Sequence, residues 1–163
     1  MKTLEMIGDT MSLFGGEASP VVTLLLQEAA AAYQHTSRAE SILWSAQAIA
    51  PACLPVYYAL YKFYFYKCRL LDAEKVALMG LETAARQAGF VADWAQLSPQ
   101  SVNWYLPDAP QHFYLFTLKA LAFIRLRLGK RAESLALLDK LQELDPGDSV
   151  GSSVIRDLAK ELI

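Results

Sequence analysis

The side chains best suited to catalysis or metal binding in this chain are few and widely separated. Its two histidines are His35 and His112, and its two cysteines are Cys53 and Cys68. A metal site needs clustered His, Cys or carboxylate ligands, and a nucleophilic site needs a serine or cysteine beside a base. Neither pattern is present, and the phosphate-binding motif GxxxxGK[ST] is also absent. We therefore expect a protein that is not an enzyme, with no catalytic residue, no metal and no cofactor.

A run of aromatic residues and lysines between Tyr57 and Lys67 is the strongest chemical signal in the chain. Aromatic rings stack on unpaired bases and lysines contact phosphates, so such a run could bind single-stranded nucleic acid. However, helical spacing places about half of these rings in the core. The net charge of −2 also argues against nucleic acid, which favours a basic surface. We expect no nucleic-acid partner.

A second cluster contains four cations, Arg125, Arg127, Lys130 and Arg131. These residues fall at the end of a predicted helix, where positive charge interacts favourably with the helix dipole. The alternative is a site for an acidic partner or a phosphate group.

The chain has the features of a cytoplasmic protein. Residues 1–16 include the acidic Glu5 and Asp9 and lack the apolar run of a signal peptide. The richest apolar stretch, residues 21–26, is far too short to span a membrane. Reduced cysteines, which we expect here, are usual in the cytosol.

The elements that must position these side chains are helices. Pro51 and Pro146 each end a helical pattern that begins about 32 residues earlier. The small residues Ala39 and Ser134 each lie 12 positions before one of these prolines, and Ala73 takes that place in a block between them. A period near 34 residues with two helices per unit is typical of a stack of helical repeats.

Local signals predict where the helices begin and end. Ser19 and Pro20 suit the start of a helix, Ser37 and Glu40 form a capping box, and Gly89 suits a helix end. The resulting division is an N-terminal extension (1–18), repeat 1 (20–51), repeat 2 (54–87), an insertion (88–114), repeat 3 (115–148) and a capping helix (149–163).

Two flanking helices are expected. Leu4, Ile7 and Met11 follow helical spacing before the pair Gly15-Gly16, which predicts a short helix in the N-terminal extension. The capping helix is expected to cover the last repeat. Its predicted inward residues are Val154, Ile155, Leu158 and Leu162.

The insertion breaks the helical pattern with Pro99, Pro107 and Pro110. Its two tryptophans, Trp94 and Trp104, favour an ordered segment, because disordered segments are poor in aromatic residues. A short helix is predicted after Ser98-Pro99.

The three predicted repeats resemble the tetratricopeptide repeat, whose pattern alternates aromatic and small residues before a proline. The matching residues are Leu26, Ala39, Leu43, Ala46 and Pro51 in the first unit, Tyr57, Leu60, Tyr64, Ala73 and Gly80 in the middle unit, and Leu118, Leu121, Ala122, Gly129 and Pro146 in the last. The middle unit lacks the proline, Ser134 replaces the usual alanine, and an insertion of about 27 residues splits the array. The resemblance implies an all-α, α/α superhelical stack of about three helix hairpins that binds a peptide or helical segment of another protein.

Two further resemblances bear on function. Leu54 to Tyr66 and Phe113 to Arg127 resemble a small repeat protein found among bacterial nitrogen-fixation genes, which implies an accessory role there. Secretion-type chaperones are also small three-repeat proteins, but they do not share the insertion.

In tetratricopeptide repeats the first helix of each pair lines the concave face, which receives the partner. The residues expected there are Tyr58, Lys62, Phe65 and Tyr66 in the middle unit, Lys119, Phe123, Leu126 and Arg127 in the last, and Val21, Leu24, Leu25 and Glu28 in the first. The predicted binding residues are Tyr58, Lys62, Phe65, Tyr66, Lys119, Phe123 and Arg127, since exposed aromatic residues and arginine are common at contact surfaces.

Two alternatives remain for this groove. The insertion could fold back and fill it with Trp94, Trp104 and Leu106, or the groove could be the interface of a homodimer. A clamp for a partner's C-terminal carboxylate is not expected, since the lone asparagine, Asn103, lies in the insertion.

Overall fold

The computed structural model describes residues 18–161, and this part of the chain is all helical. It contains seven α-helices and no strand in the described range, which confirms the all-α prediction. The helices are α1 (Pro20–Ala31), α2 (Thr36–Ile49), α3 (Leu54–Tyr66), α4 (Leu70–Ala88), α5 (Pro110–Arg127), α6 (Arg131–Leu144) and α7 (Ser152–Glu161). The predicted helix at Leu4, Ile7 and Met11 lies outside the described residues.

Most helix ends follow the predicted signals. The Ser19 hydroxyl accepts a hydrogen bond from the Val22 amide at the start of α1, and Pro20 occupies the first turn. Gly89 ends α4 in the left-handed conformation, with φ of 81°. This conformation strains any residue that carries a Cβ, so glycine suits the position. The first helix ends at Ala31.

The predicted capping box at Ser37 and Glu40 is wrong. Helix α2 begins at Thr36, with His35 rather than Ser37 at the N-cap, and no side chain caps its first turn. The Glu40 carboxylate instead accepts hydrogen bonds from Arg69 and from the Tyr64 hydroxyl. A charged partner from the turn before α4 therefore takes the carboxylate away from the local backbone.

The helices pack as three successive hairpins, α1 with α2, α3 with α4, and α5 with α6. Helix α4 also packs extensively on α5, although the insertion separates the two helices in the sequence. Helix α7 contacts both α5 and α6. The core runs continuously from Val22 in α1 to Ala159 in α7.

The first helices of the three hairpins bury residues at regular intervals. Leu26, Leu60 and Leu118 are separated by 34 and 58 residues, and each is at most 1% exposed. The position four residues earlier in each helix, occupied by Val22, Val56 or Tyr114, is fully buried as well. The first two hairpins therefore share the predicted 34-residue period.

The second helices repeat in the same way. Ala39, Ala73 and Ser134 are each the fourth residue of their helix, and each is fully buried. They are separated by 34 and 61 residues. The small residue follows the buried leucine by 13 positions in the first two hairpins and by 16 in the third, and 24 residues (58 less 34) are inserted before the first helix of the third hairpin. Helix α5 begins at Pro110, so its first turn lies within the range 88–114 that the sequence suggested for the insertion.

Small residues let neighbouring helices approach closely. Gly80 of α4 faces Tyr57 and Phe113, and a Cβ at this glycine would lie 3.2 Å from the Tyr57 Cβ. The Ser134 hydroxyl donates a 2.6 Å hydrogen bond to the Ala122 carbonyl of α5. Serine can therefore replace the usual alanine, because its added hydroxyl has a partner inside the hairpin.

The insertion packs as an ordered loop against α5 and α6. The Trp104 ring lies 5.3 Å from Phe90 and 6.2 Å from Tyr114, and it is 4% exposed. Lys140 of α6 donates a hydrogen bond to the Leu97 carbonyl. The predicted short helix after Ser98-Pro99 is wrong, since the helical turn in this segment is a 3-10 turn at Trp94–Gln96.

The inward face of α7 agrees with the prediction at Ile155 and differs from it at Val154 and Leu158, while Leu162 lies outside the described residues. Ser152, Ile155 and Ala159 are buried, whereas Val154 and Leu158 are 61% and 37% exposed. The helix approaches the last hairpin through this smaller stripe, so two of its larger apolar residues face outward. Within the described range no helix is both long and apolar enough to cross a bilayer.

Candidate protein-binding surface

Helices α3 and α5 lie side by side and run in the same direction. The Tyr58 and Phe116 rings have centroids 5.6 Å apart, and the Phe65 and Phe123 rings have centroids 5.1 Å apart. Both pairs join residues that are 58 positions apart. Two contacts with one constant offset, separated by about two turns, require parallel helices in a fixed register.

Side chains from both helices form one continuous surface, which we call the α3–α5 aromatic surface. It consists of Tyr58, Lys62, Phe65, Tyr66, Phe116, Lys119, Phe123 and Arg127. The structure therefore brings all seven predicted binding residues together.

The cations of this surface lie over its rings. The Lys62 ammonium is 5.3 Å from the Tyr58 centroid and 5.9 Å from that of Tyr66. The Lys119 ammonium is 4.4 Å from the Phe116 centroid. The Arg127 guanidinium is 5.6 Å from the Phe65 centroid. These distances fall within the range of attractive cation–π contacts.

Exposure varies across the surface. Tyr66 is 59% exposed and Arg127 is also exposed, whereas the other predicted residues are half-buried. The close approach of α3 and α5 explains this, because the stripe of each helix packs partly on the other. Burial lowers the pKa values of both Lys62 and Lys119, and the charge of Asp148 partly opposes that shift at Lys119.

Phe116 belongs to the surface but was missed in the sequence. It precedes Lys119 by three residues and Phe123 by seven, so helical spacing places it on their face. Its position seven residues before a predicted binding residue was the signal that could have identified it.

The insertion lies on the opposite side of α5. Trp104 contacts Tyr114, and the Arg125 guanidinium lies 5.6 Å from the Trp94 ring. At 100° per residue, Tyr114 and Arg125 share one side of the helix and lie about 160–200° from Phe116 and its neighbours. The alternative in which Trp94 and Trp104 fill the groove is therefore wrong. Leu106, the third residue of that alternative, is 46% exposed.

In the first unit, Val21, Leu24 and Glu28 are exposed and Leu25 is half-buried. Helix α1 approaches α3 near their C-terminal ends, where the Tyr33 and Phe63 rings meet at 6.0 Å. Lys67 binds there through its ammonium group, which donates to the Tyr33 carbonyl.

The cation cluster at the end of α5 and the start of α6 divides between two roles. Arg125 and Lys130 both pair with the Glu74 carboxylate of α4, and Arg131 donates to the Ala159 carbonyl. These three residues tie helices together. Arg127 is the member of the cluster that reaches the α3–α5 aromatic surface.

A second polar centre joins α2, α3 and α4. The Tyr64 hydroxyl accepts a 2.7 Å hydrogen bond from the Trp44 indole and donates to Glu40, which also binds Arg69. The Arg69 hydrogen bond holds the pKa of Glu40 below its usual value, against the opposing effect of burial. An open cleft of about 620 Å³ lies beside this network. Because its charged lining residue, Glu40, already binds other helices, we assign the network a structural role.

The residues considered for metal or thiol chemistry stay apart. Cys53 and Cys68 are free thiols. Within residues 18–161 no three His, Cys, Asp or Glu side chains are grouped so that they could hold a metal ion.

Comparison with known proteins gives one informative match. No protein-family model matches the chain, and no solved structure matches it. The chain is 32% identical, over 125 residues, to an uncharacterized 19.8 kDa protein in the nifW 5′ region of Azotobacter chroococcum mcd 1. The match covers 76% of this chain and 70% of that protein. The chain therefore belongs to the same family as this Azotobacter protein.

Proposed function

We propose that this protein is a non-catalytic binding module built of tetratricopeptide-like repeats. Its α3–α5 aromatic surface would hold a peptide or helical segment of a partner protein. The observation that carries the proposal is the continuity of this surface, in which five aromatic residues from two parallel helices are in contact with one another or with three cations.

The spacing of the hairpins supports the repeat assignment. Equivalent leucines at 34-residue and 58-residue intervals are buried, and the small residue of each second helix recurs at the fourth position. First helices that run parallel in fixed register are what a stack of such hairpins requires. In such a stack the first helices line the concave face, where α3 and α5 carry the aromatic surface.

The composition of the surface supports a protein partner. Aromatic residues and arginine dominate the binding energy of many protein interfaces. Tyr66 and Arg127 are the exposed members of the surface and are therefore the residues most available for contact.

A pull-down from the native host tests the proposal. The double variant Tyr66→Ala/Arg127→Ala should lose the captured partner while keeping the wild-type melting temperature. The matched control, Tyr105→Ala/Arg86→Ala, changes the same residue types at exposed sites elsewhere and should capture the partner normally. Equal capture by both double variants would place the binding site away from the α3–α5 aromatic surface.

The relative in the nifW 5′ region favours a second proposal, that the module serves nitrogen fixation as an accessory factor. Deletion of its gene in a nitrogen-fixing host should slow growth on dinitrogen but not on ammonium. Equal growth of the deletion strain and its parent on dinitrogen would contradict this role.

A further inference from the structure

The distribution of charge on the helices points to the chemistry of the partner. The chain as a whole is slightly acidic, with 17 carboxylates and 15 Lys or Arg residues. Helices α3 and α5, of 13 and 18 residues, contain no Asp or Glu. They carry the cations Lys62, Lys119, Arg125 and Arg127. The carboxylates of the protein are thus kept off the two helices that form the aromatic surface.

The helix dipole explains only part of this pattern. Arg125 and Arg127 lie in the last turn of α5, where a cation is favoured. Lys62 and Lys119 lie near the middle of their helices, where the dipole has little effect. Burial lowers the pKa values of both lysines, so their position on the surface costs free energy.

One carboxylate from a neighbouring element acts on Lys119. Burial lowers the pKa of Lys119, and the charge of Asp148, in the turn before α7, partly opposes that shift. The Asp148 oxygens accept hydrogen bonds from the side chains of Ser152 and Ser153 and from the Ser153 amide. Asp148 therefore organises the start of α7.

We infer that the segment bound by the α3–α5 aromatic surface is an acidic amphipathic helix, whose apolar side chains contact the rings while its Asp or Glu side chains pair with Lys119 and Arg127. This inference rests on the proposed function. Lys119 and Arg127 are eight residues apart on one helix, which is a rise of about 12 Å. A partner helix would match them with carboxylates seven or eight positions apart and with apolar residues between, opposite Phe123.

A random 16-residue peptide library displayed on phage tests the inference. Panning against the wild-type protein should enrich sequences with a net negative charge and an apolar stripe of helical period. Panning against Lys119→Glu/Arg127→Glu should instead enrich neutral or basic sequences. The control variant Arg38→Glu, which reverses an exposed cation in the first turn of α2, should still select acidic peptides. Circular dichroism melting checks that each variant is folded.

Binding of one selected peptide, synthesised with an amidated C-terminus, should weaken by at least about tenfold with the double charge reversal and little with Arg38→Glu. Enrichment of neutral apolar peptides that require Tyr66 would overturn the inference but leave the proposed function intact. If no peptide is enriched, both the inference and the proposed function are contradicted. Loss of binding on amidation would show C-terminal carboxylate capture and would also overturn it.

Discussion

The two opposite sides of α5 have similar chemistry but different surroundings. One side carries Tyr114 and Arg125 and is covered by the insertion, and the other carries Phe123 and Arg127 on the α3–α5 aromatic surface. On the covered side, Arg125 stacks on Trp94 and pairs with Glu74. The covered side thus has ring against ring and a carboxylate beside its cation, Arg125.

The polar groups of the rings on the covered side also have hydrogen-bond partners. The Tyr114 hydroxyl donates a 2.6 Å hydrogen bond to the Ala92 carbonyl, and the Trp104 indole donates to the Ser98 carbonyl. Arg125 is 16% exposed at its side chain, whereas Arg127 is exposed. We therefore expect a partner to cover the rings and pair with the cations of the α3–α5 aromatic surface, as the insertion and Glu74 do on the other side of α5.

The largest loss of stability is expected from a substitution in the core, which supports both sides of α5. Leu121 is fully buried in α5, so Leu121→Asp would bury a charge and cost about as much as the whole free energy of folding. Circular dichroism should show loss of cooperative unfolding. Leu158→Asp, at a 37% exposed site on α7, is the control and should melt nearly as the wild type does. A small change in melting temperature for Leu121→Asp would contradict the assigned packing.

Removing the insertion's anchor should damage the covered side alone. Trp104→Ala is expected to lower the free energy of unfolding by about 3–5 kcal/mol, since a buried ring and its contacts are lost. The adjacent Tyr105 is 77% exposed, and Tyr105→Ala should change stability by less than about 0.5 kcal/mol. Chemical denaturation measures both values. Equal effects from the two variants would show that the insertion is not anchored as described.

The carboxylate on the covered side is expected to matter next. Glu74→Ala should cost about 2–3 kcal/mol, because it leaves Arg125 partly buried without its partner. Glu82→Ala on the same helix removes only an exposed pair with Arg86 and should cost less than about 0.5 kcal/mol. Denaturant unfolding compares the two. If Glu74→Ala lowers the free energy of unfolding no more than Glu82→Ala does, the Glu74–Arg125 pair contributes little. It could then not serve as an example of how a carboxylate pairs with a cation of the α3–α5 aromatic surface.

The smallest effect on stability is expected on the open side. Tyr66→Ala and Arg127→Ala should each change the free energy of unfolding by less than about 0.5 kcal/mol, because both residues are exposed. Denaturation curves check this. A loss above about 2 kcal/mol for either variant would mean that the residue is part of the core, and the contrast between the two sides would fail.

The alkaline limit of stability should reflect the covered side. Burial raises the pKa of Tyr114 above its usual value, so the folded protein holds this proton more tightly than the unfolded chain does. The resulting stabilisation is complete below the unfolded pKa of about 10 and is lost as the pH rises toward the folded pKa. Tyr114→Phe should therefore show a smaller loss of stability above pH ~10. An identical alkaline loss in the variant and the wild type would contradict the burial of this hydroxyl.

The sequence predicted those features that depend on local pattern. Proline and glycine positions located most helix ends, and the small residues Ala39, Ala73 and Ser134 fixed the hairpin spacing. Most of the faces of α3 and α5 were also predictable, because helical spacing decides which residues share a side. Leu126 is the exception, since it was expected on the concave face and is buried.

The features that were not predicted depend on contacts between distant segments. Glu40 satisfies a local capping rule, but Arg69, 29 residues away, binds it instead. Spacing also could not decide which side of α5 the insertion would cover, since both sides carry rings and cations. The exposed Val154 shows the same limit, because the stripe of α7 that packs inward is set by its approach to α6.

Our main proposal is that the α3–α5 aromatic surface receives another protein. A photo-crosslinking amino acid at Tyr66, in the living host, tests this most directly, with the same substitution at Tyr105 as the control. We expect a crosslinked partner protein from position 66 and no crosslink to that protein from position 105. The same products from both positions, or only a second copy of this chain from position 66, would contradict it.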